Sequence, residues 1–356
     1  HFSNFSPFFI SVCAAGGSGG MEVIMNKVLR IVSALFVLVV VLVSLAGCSY
    51  MNQSTNTEMK RILLRGDLHS HTKYSWDGKF TIEEVANYRK QSGYDFIALT
   101  DHNTTTQNQD PYKDNELIIL PGMELTRPIG HANIIGIPDP KKDFTLILPK
   151  AFIKYFDEVK KQGAMVQLNH PFSPGYPWKI KFDDLGFDTV ELWNGGWTDE
   201  EAQSMQWWQG QLQAGKKVVV TAGSDSHTNG AGRFPFNNVY SVSRDAKGIL
   251  DAIKSGHLYL SISPKGPDIE IKSGSAIMGD TVPYKKEQLI NITVSNLNSG
   301  DEIYIVTDKG IEFKEGASDS TFAKDLTMAK RMFYRVEVHR EDKVVSLSNP
   351  LYISEQ

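Results

Sequence analysis

The sequence predicts an α/β fold joined to a smaller all-β domain, on three observations. Between Lys60 and Pro264, runs suited to strands alternate with helix-like stretches, the pattern of a mostly parallel sheet with crossover helices. The strand-like runs tend to end in a histidine, aspartate or glutamate. Beyond Pro264 the helix-like stretches stop and short alternating apolar runs take over.

The chain has 356 residues, 41% hydrophobic and 22% charged, with a formal charge of -4. That is ample for a large core and two domains. It offers no basic excess for a nucleic-acid polymer, so none is expected as a partner. Residues 1–20, ahead of Met21 and Met25, read as upstream or appended sequence. Residues 21–47 read as a secretory signal: Lys27 and Arg30 precede an uncharged apolar run, Ile31 to Leu45, and then small residues. The run is short for a spanning helix, which needs about 20 apolar residues. Leu45-Ala46-Gly47-Cys48 resembles the lipobox of bacterial lipoproteins, which implies lipid on Cys48 and a secreted protein anchored to a membrane of the cell envelope. Residues 48–60, polar and without apolar period, are expected to be a flexible tether. Cys13 and Cys48 are the only cysteines, so the mature chain forms no internal disulfide.

The expected catalytic domain runs from residue 61 to 264. Its first strand-like run, Ile62 to Leu64, leads to Gly66-Asp-Leu-His69-Ser-His71, and histidines two apart at a strand's end project from one face. Asp77 follows. Thr81-Ile-Glu-Glu84 is a capping box that opens a helix through Val85, Ala86, Tyr88 and Arg89, and Gly93 stops it. Tyr94 to Thr100 reads as a buried strand delivering Asp101 and His102. Leu117 to Leu120 is another apolar run, closed by Pro-Gly and followed by Glu124, and Gly130 to Gly136 is a strand with His131 at its head. A helix from Pro149 to Gln162 leads to the strand Ala164 to Asn169 and the pair His170-Pro171. Thr189 to Asn194 is a strand carrying Glu191, and a second capping box, Thr198 and Glu201, opens a helix that stops at Gly215. Lys217 to Ala222 ends in Gly223-Ser-Asp225-Ser-His227. Ligand-type residues at successive strand ends put the chemistry on one rim.

Imidazoles and carboxylates without thiolates suit zinc, manganese or iron rather than a structural cysteine site. Clustered ions lower the pKa of a bound water and stabilise charge on the oxygens of the attacked centre. Between residues 61 and 264 there is neither a Gly-x-Ser-x-Gly elbow nor a Gly-rich nucleotide loop. Arg127, Asn194 and Arg233 lie within a few residues of these motifs and are candidate substrate contacts, while Trp178, Trp193 and Trp197 are candidates for an aromatic wall or for packing.

Taken together, DLHSHT, SWDG, LTDHN, GMEL, NHP and GSDSH resemble, in order and spacing, the motifs of the PHP (polymerase and histidinol phosphatase) metallohydrolases over roughly residues 61–264. The resemblance implies a distorted (β/α)7 barrel holding two or three divalent ions. It implies one ion on His69, His71, Glu124 and Asp225, a second on His131 and His170 shared through Glu124, and a third on Asp77, His102 and His227. It implies catalytic roles for Glu124, Asp225 and His227, with a metal-bridging hydroxide as nucleophile acting on a small-molecule ester. Phosphoesters are the expected substrates. A carboxylic ester or carbamate hydrolase is the alternative, since lipobox, barrel and C-terminal β-domain together resemble the secreted branch related to carbaryl hydrolases. A non-catalytic metal- or ligand-binding lipoprotein is the third reading.

Residues 265–356 are expected to form a β-sandwich, with strands near Ile269 to Ile271, Leu289 to Val294, Glu302 to Val306, Phe333 to Val338 and Val344 to Leu347, serving stabilisation or docking.

Overall fold

A computed structural model describes residues 25–32, 60–140, 149–182, 185–228 and 235–355, which fall in two units, 1–58 and 59–356. In the first unit residues 25–32 are helical and exposed. Most of the apolar run, the lipobox with Cys48 and most of the tether lie outside the described residues. Among the described residues no helix is long and apolar enough to cross a membrane.

The second unit is an α/β fold with a large sheet-rich portion. Strands β1 (Ile62–Asp67), β2 (Phe96–Leu99), β3 (Ile118–Arg127), β4 (Gly130–Ile135), β5 (Met165–Leu168), β6 (Thr189–Asn194) and β7 (Val219–Gly223) lie side by side in chain order. Helices α1 (Ile82–Gln91), α2 (Pro149–Lys161) and α3 (Asp199–Gln213) cross between β1 and β2, β4 and β5, and β6 and β7. Both expected capping boxes form: Thr81 with Glu84 opens α1, and Thr198 with Glu201 opens α3. Such a cap is worth about 1 kcal/mol. Ile82, Val85, Ala86 and Arg89 are the buried side of α1, at helical spacing.

Two features depart from a regular strand-and-helix repeat. First, β3 does not stop before Pro-Gly. It pairs in parallel with β2 as far as Pro121, then from Gly122 onward pairs antiparallel with β4. The proline stands where the strand exchanges partners, a place that tolerates a residue with no N–H to donate. Second, only Pro128 and Ile129 separate β3 from β4, and so short a connection forces antiparallel pairing. The β4–β5 pair is antiparallel as well, whereas β1–β2, β2–β3, β5–β6 and β6–β7 are parallel.

Two asparagines cover the free edge of β7. Asn237, on β8 (Phe236–Ser241), accepts from the Ala222 N–H at 2.9 Å and donates to its carbonyl at 2.7 Å, and Asn349 grips Val220 with two bonds of 2.9 Å. A side-chain amide presents one donor and one acceptor, as a peptide group does, so it can stand in for a neighbouring strand. Beyond β7 the chain meets the end of β1: Asp225 N–H donates to His69 O at 2.8 Å, and His71 N–H to Ser226 O at 3.0 Å. The sheet thereby curls until its first and last strand ends touch.

Strand β8 pairs antiparallel with β1 and, past helix α4 (Ala246–Lys254), with β9 (Leu258–Ser261). The chain then forms β10 (Asp268–Ser273), β11 (Ala276–Ile277), β12 (Thr281–Pro283), β13 (Leu289–Ser295), β14 (Glu302–Thr307), β15 (Gly310–Gly316), β16 (Thr321–Thr327), β17 (Phe333–Arg340), β18 (Lys343–Ser348) and β19 (Leu351–Ser354). The main sheet continues from β9 into β18, β17, β19 and β12, while β11, β10, β13 and β16 make a separate four-stranded sheet. Ile269, Ile292, Ile303 and Val336 belong to the apolar core these strands share. A larger core, including Phe96, Phe152, Phe156, Trp193 and Trp208, packs the helices on β1–β7. Burying each such side chain contributes roughly 1.5–3 kcal/mol.

Candidate metal centre

The nine candidate ligands converge at one end of β1–β7. His69 and His71 follow β1, His102 follows β2, Glu124 lies in β3, His131 heads β4, His170 follows β5, and Asp225 and His227 follow β7. Asp77 arrives on the turn after His71.

Glu124 is the hub. It is 0% exposed, and its carboxylate has five imidazoles within 3.7 Å: His102 at 2.5 Å, His131 at 3.1 Å, His69 at 3.5 Å, His170 at 3.6 Å and His71 at 3.7 Å. Asn169 donates to its Oε1 at 2.9 Å. Asp225 Oδ1 stands 3.1 Å from His71 Nε2 and 3.3 Å from His69 Nε2. On the solvent side Asp77 Oδ2 lies 3.2 Å from His227 Nε2 and 3.4 Å from His102 Nε2, and those two nitrogens are 3.5 Å apart.

Three sets of ligand atoms lie close enough to share an ion each: His69, His71 and Glu124; Glu124, His131 and His170; and His71, His102 and His227. His71 adjoins the third set, and the Asp77 oxygen that the motifs suggested for it lies within 3.4 Å of both the His102 and the His227 nitrogens. The donors fit divalent ions on a structural ground. His69 Nε2 is buried without a hydrogen-bond partner although two carboxylate oxygens stand within 3.5 Å, an arrangement that a cation among them would satisfy.

The electrostatics agree. Burial alone would keep His69 neutral, but Asp225, Glu191 and Glu124 outweigh it and raise its pKa well above the ordinary imidazole value. His102 and His170 are raised against the same burial penalty, through their bonds to Glu124. For His71 burial wins and the pKa falls. Burial would push Glu124 and Asp225 up, yet His69 and the neighbouring imidazoles hold both below the usual carboxylate range. The pocket is thus built for positive charge.

Several residues outside the candidate ligand set position these side chains. Glu191, 0% exposed on β6, accepts from His69 Nδ1, His170 N–H and Asn194 Nδ2, each at 2.9 Å. Its bond to Nδ1 turns the His69 Nε2 lone pair towards Glu124 and Asp225. A Cβ on Gly223 would fall 2.0 Å from Glu191 Oε1 and 2.5 Å from His69 Cβ, so only glycine fits beside that pair. Ser75 Oγ bonds His71 Nδ1 at 3.1 Å and the His102 N–H at 3.0 Å. Asp67 accepts from Arg89 at 3.0 Å and from Ser224 Oγ at 2.6 Å, and Ser224 precedes Asp225. His170 and Asp225 hold φ of +28° and +49°, a left-handed backbone unfavourable to both, which aims their side chains. A lone acid inside the strand TVELWN is a signal that could have found Glu191.

Of the candidate substrate contacts, Asn194 reaches the cluster, 3.4 Å from Asp225 Oδ2. Arg127 does not. Glu124 and Thr126 face the site from β3, so Arg127 projects from the opposite face, where its Nη1 donates to Asn103 Oδ1 and Thr126 O at 2.6 Å. Arg233 lies outside the described residues. Trp193 is buried in the core, with Trp197 edge-on against it, and Trp178 packs on the core and donates to Asn169 O at 3.0 Å.

The strand ends of this curled α/β sheet gather histidine and carboxylate sets that could hold metal ions. The chain belongs to the PHP domain family. The PHP domain model matches residues 67–181. Over 148 residues the chain is 31% identical to an uncharacterised protein of Methanocaldococcus jannaschii, covering 37% of this chain and 82% of that one. Among solved structures it is similar to a two-domain protein of Bacteroides vulgatus containing a predicted PHP-like metal-dependent phosphoesterase, at 18% identity and a TM-score of 0.49, over 82% of this chain and 96% of that one. A lesion-specific endonuclease of Pyrococcus furiosus matches at 17% identity and a TM-score of 0.40, over 54% and 56% of the two chains.

Proposed function

We propose that this protein is a multinuclear metal-dependent phosphoesterase. The observation that carries the reading is Glu124, a fully buried carboxylate ringed by five imidazoles within 3.7 Å, with Asp225 beside them. His69, His71, Glu124 and Asp225 would hold one ion, Glu124, His131 and His170 a second, and Asp77, His102 and His227 a third. Bound there, divalent ions supply an activated water and positive charge for the oxygens of a phosphoryl group.

The chain's own side chains do the remaining work. Glu191 fixes the tautomer of His69, and Ser75 holds the ring of His71 in place. Asn194 steadies Asp225 at the solvent-facing side. His227 donates its Nδ1–H to the Asp225 carbonyl at 2.9 Å, which leaves the Nε2 lone pair aimed past Asp77 as a ligand for the third ion.

The test is an assay of manganese-, zinc- and iron-loaded protein on a phosphomonoester, a phosphodiester and a carboxylic ester. Phosphoester turnover is expected, with Glu124→Gln and Asp225→Asn each losing roughly 100-fold or more. Protein that binds metal stoichiometrically yet leaves every ester intact is a binding protein, and the proposal fails. Turnover of the carboxylic ester alone reassigns the substrate class.

We further propose attachment to a membrane through lipid on Cys48, resting on the lipobox-like Leu45-Ala46-Gly47-Cys48. Radiolabelled fatty acid is expected to enter the wild type and not Cys48→Ser, and equal labelling would refute this.

A further inference from the structure

Large apolar side chains left in water need a reason, and two aromatic ones lie at the metal centre. Trp76 is 68% exposed, the one exposed tryptophan of the chain's six, and Tyr176 is 61% exposed. The Trp76 indole stacks on His102, with centroids 4.3 Å apart and planes 15° from parallel. The Tyr176 ring lies 5.0 Å from His131 and 6.0 Å from His170. His102 and His131 are themselves 6.1 Å apart. The two exposed rings therefore bracket the cluster, one beside the His71, His102 and His227 set and the other beside the His131 and His170 set.

Both rings sit on segments that the fold pins. Ser75, next to Trp76, is bonded to His71 and His102, and the turn is tight enough that a Cβ on Gly78 would fall 1.9 Å from Thr72 O. The loop bearing Tyr176 is held by Trp178, whose indole donates to Asn169 O and fills the space left by Gly130, where a Cβ would come within 2.3 Å of that ring. A ring held in place, with much of its surface in water, is preorganised to stack on a ligand. Solvent reaches the cluster here too: the Asp77 and His227 side chains are 37% and 30% exposed, whereas those of His69, His71 and Glu124 are 0%.

We propose that Trp76 and Tyr176 form an aromatic rim that binds a flat aryl or heteroaryl group of the ester substrate while its anionic centre sits at the ion cluster. This rests on the phosphoesterase reading for the anionic centre; the rim's selectivity for flat groups is separate and can be measured without turnover. The site then selects esters whose organic part is planar over those whose organic part is a flexible alkyl chain. Stacking on an exposed aromatic ring is worth about tenfold in affinity.

The test compares binding of phenylphosphonate and methylphosphonate to metal-loaded protein by calorimetry, alongside turnover of 1-naphthyl phosphate and glycerol phosphate. Wild type is expected to bind phenylphosphonate roughly tenfold tighter. Trp76→Ala and Tyr176→Ala each erode that preference with methylphosphonate affinity and metal content unchanged, and Trp76→Phe keeps most of it. Equal binding of the two phosphonates by wild type, or a preference that survives both alanine variants, overturns the rim even where phosphoesters are hydrolysed. A phenyl preference abolished by the alanine variants in a protein that hydrolyses no ester leaves the rim standing and overturns the phosphoesterase.

Discussion

Glu191→Gln isolates what the layer behind the ligands contributes. The carboxylate accepts three donors in a site with no water access: His69 Nδ1 on Oε1, and His170 N–H and Asn194 Nδ2 on Oε2. Glutamine has one acceptor oxygen, so either arrangement leaves a donor facing an NH2 group. With the oxygen in place of Oε2, His69 loses the partner of its Nδ1–H and is driven to the tautomer whose Nε2 carries hydrogen and cannot ligate. With the oxygen in place of Oε1, the His170 N–H is stranded. One unmet buried donor costs about 1–3 kcal/mol, and losing the charge on the acceptor adds to it. We expect the metal-free variant to lose about 2 kcal/mol in urea unfolding, and metal affinity by chelator competition to fall roughly 10- to 100-fold. Affinity within about threefold of wild type would show that Glu191 is packing rather than orientation.

Protons should leave as metal enters. His69, His102 and His170 have raised pKa values, so their contribution to the metal-free fold is full below about pH 6.5 and fades as pH rises through the raised values. Glu124 is depressed, so its contribution is present above about pH 4.3 and disappears as pH falls through its folded value. His71, lowered by burial, opposes the other imidazoles. Metal affinity should therefore climb with pH, and a weakly buffered solution should acidify on loading at pH 7; a flat affinity profile with no proton release would contradict the assignment. Arg89→Met leaves Asp67 buried without its 3.0 Å partner, and about 3 kcal/mol of stability should go with it. A loss under about 1 kcal/mol would show Asp67 satisfied by Ser224 and the His69 N–H alone.

How much was legible follows from how local each signal is. Paired histidines two apart beyond an apolar run, and the two Thr-x-x-Glu boxes, are written within a few residues, and the structure forms them as read. Arg127 shows the limit. Ending the strand at Leu120 before Pro-Gly removed the alternation that would have put Arg127 on the face opposite Glu124, because the exchange of partner at Pro121 is a tertiary event. The sequence puts Glu191 on its strand but carries no sign of its role, since its three donors come from His69, His170 and Asn194 and meet only when the sheet curls. Trp178, Trp193 and Trp197 lie near the motifs in sequence, yet Trp193 is in the core, while Trp76, inside a motif, stays in water.

The join between the end of β1 and the segment after β7 is where metal and fold should be coupled. Among the described residues no long ladder closes the sheet there. The contacts are the Asp225 to His69 and His71 to Ser226 backbone bonds and the Ser224 bridge to Asp67 and His69 O. The same two segments supply His69, His71, Asp225 and His227, so an ion shared among them ties the first strand to the last. Binding of this kind stabilises the closed form by about 4 kcal/mol when free metal is a thousandfold above its dissociation constant. Its effect should concentrate on residues whose contacts exist only in that form. Strands β13 and β16, paired along seven residues in a separate sheet, owe nothing to it. Hydrogen exchange of metal-free and metal-loaded protein is therefore expected to differ most at residues 67–77 and 222–228 and least at 289–295 and 321–327. Uniform protection across all four segments would mean that the ions stabilise the whole unit as one cooperative block, and that the join is no weaker than the ladders beside it.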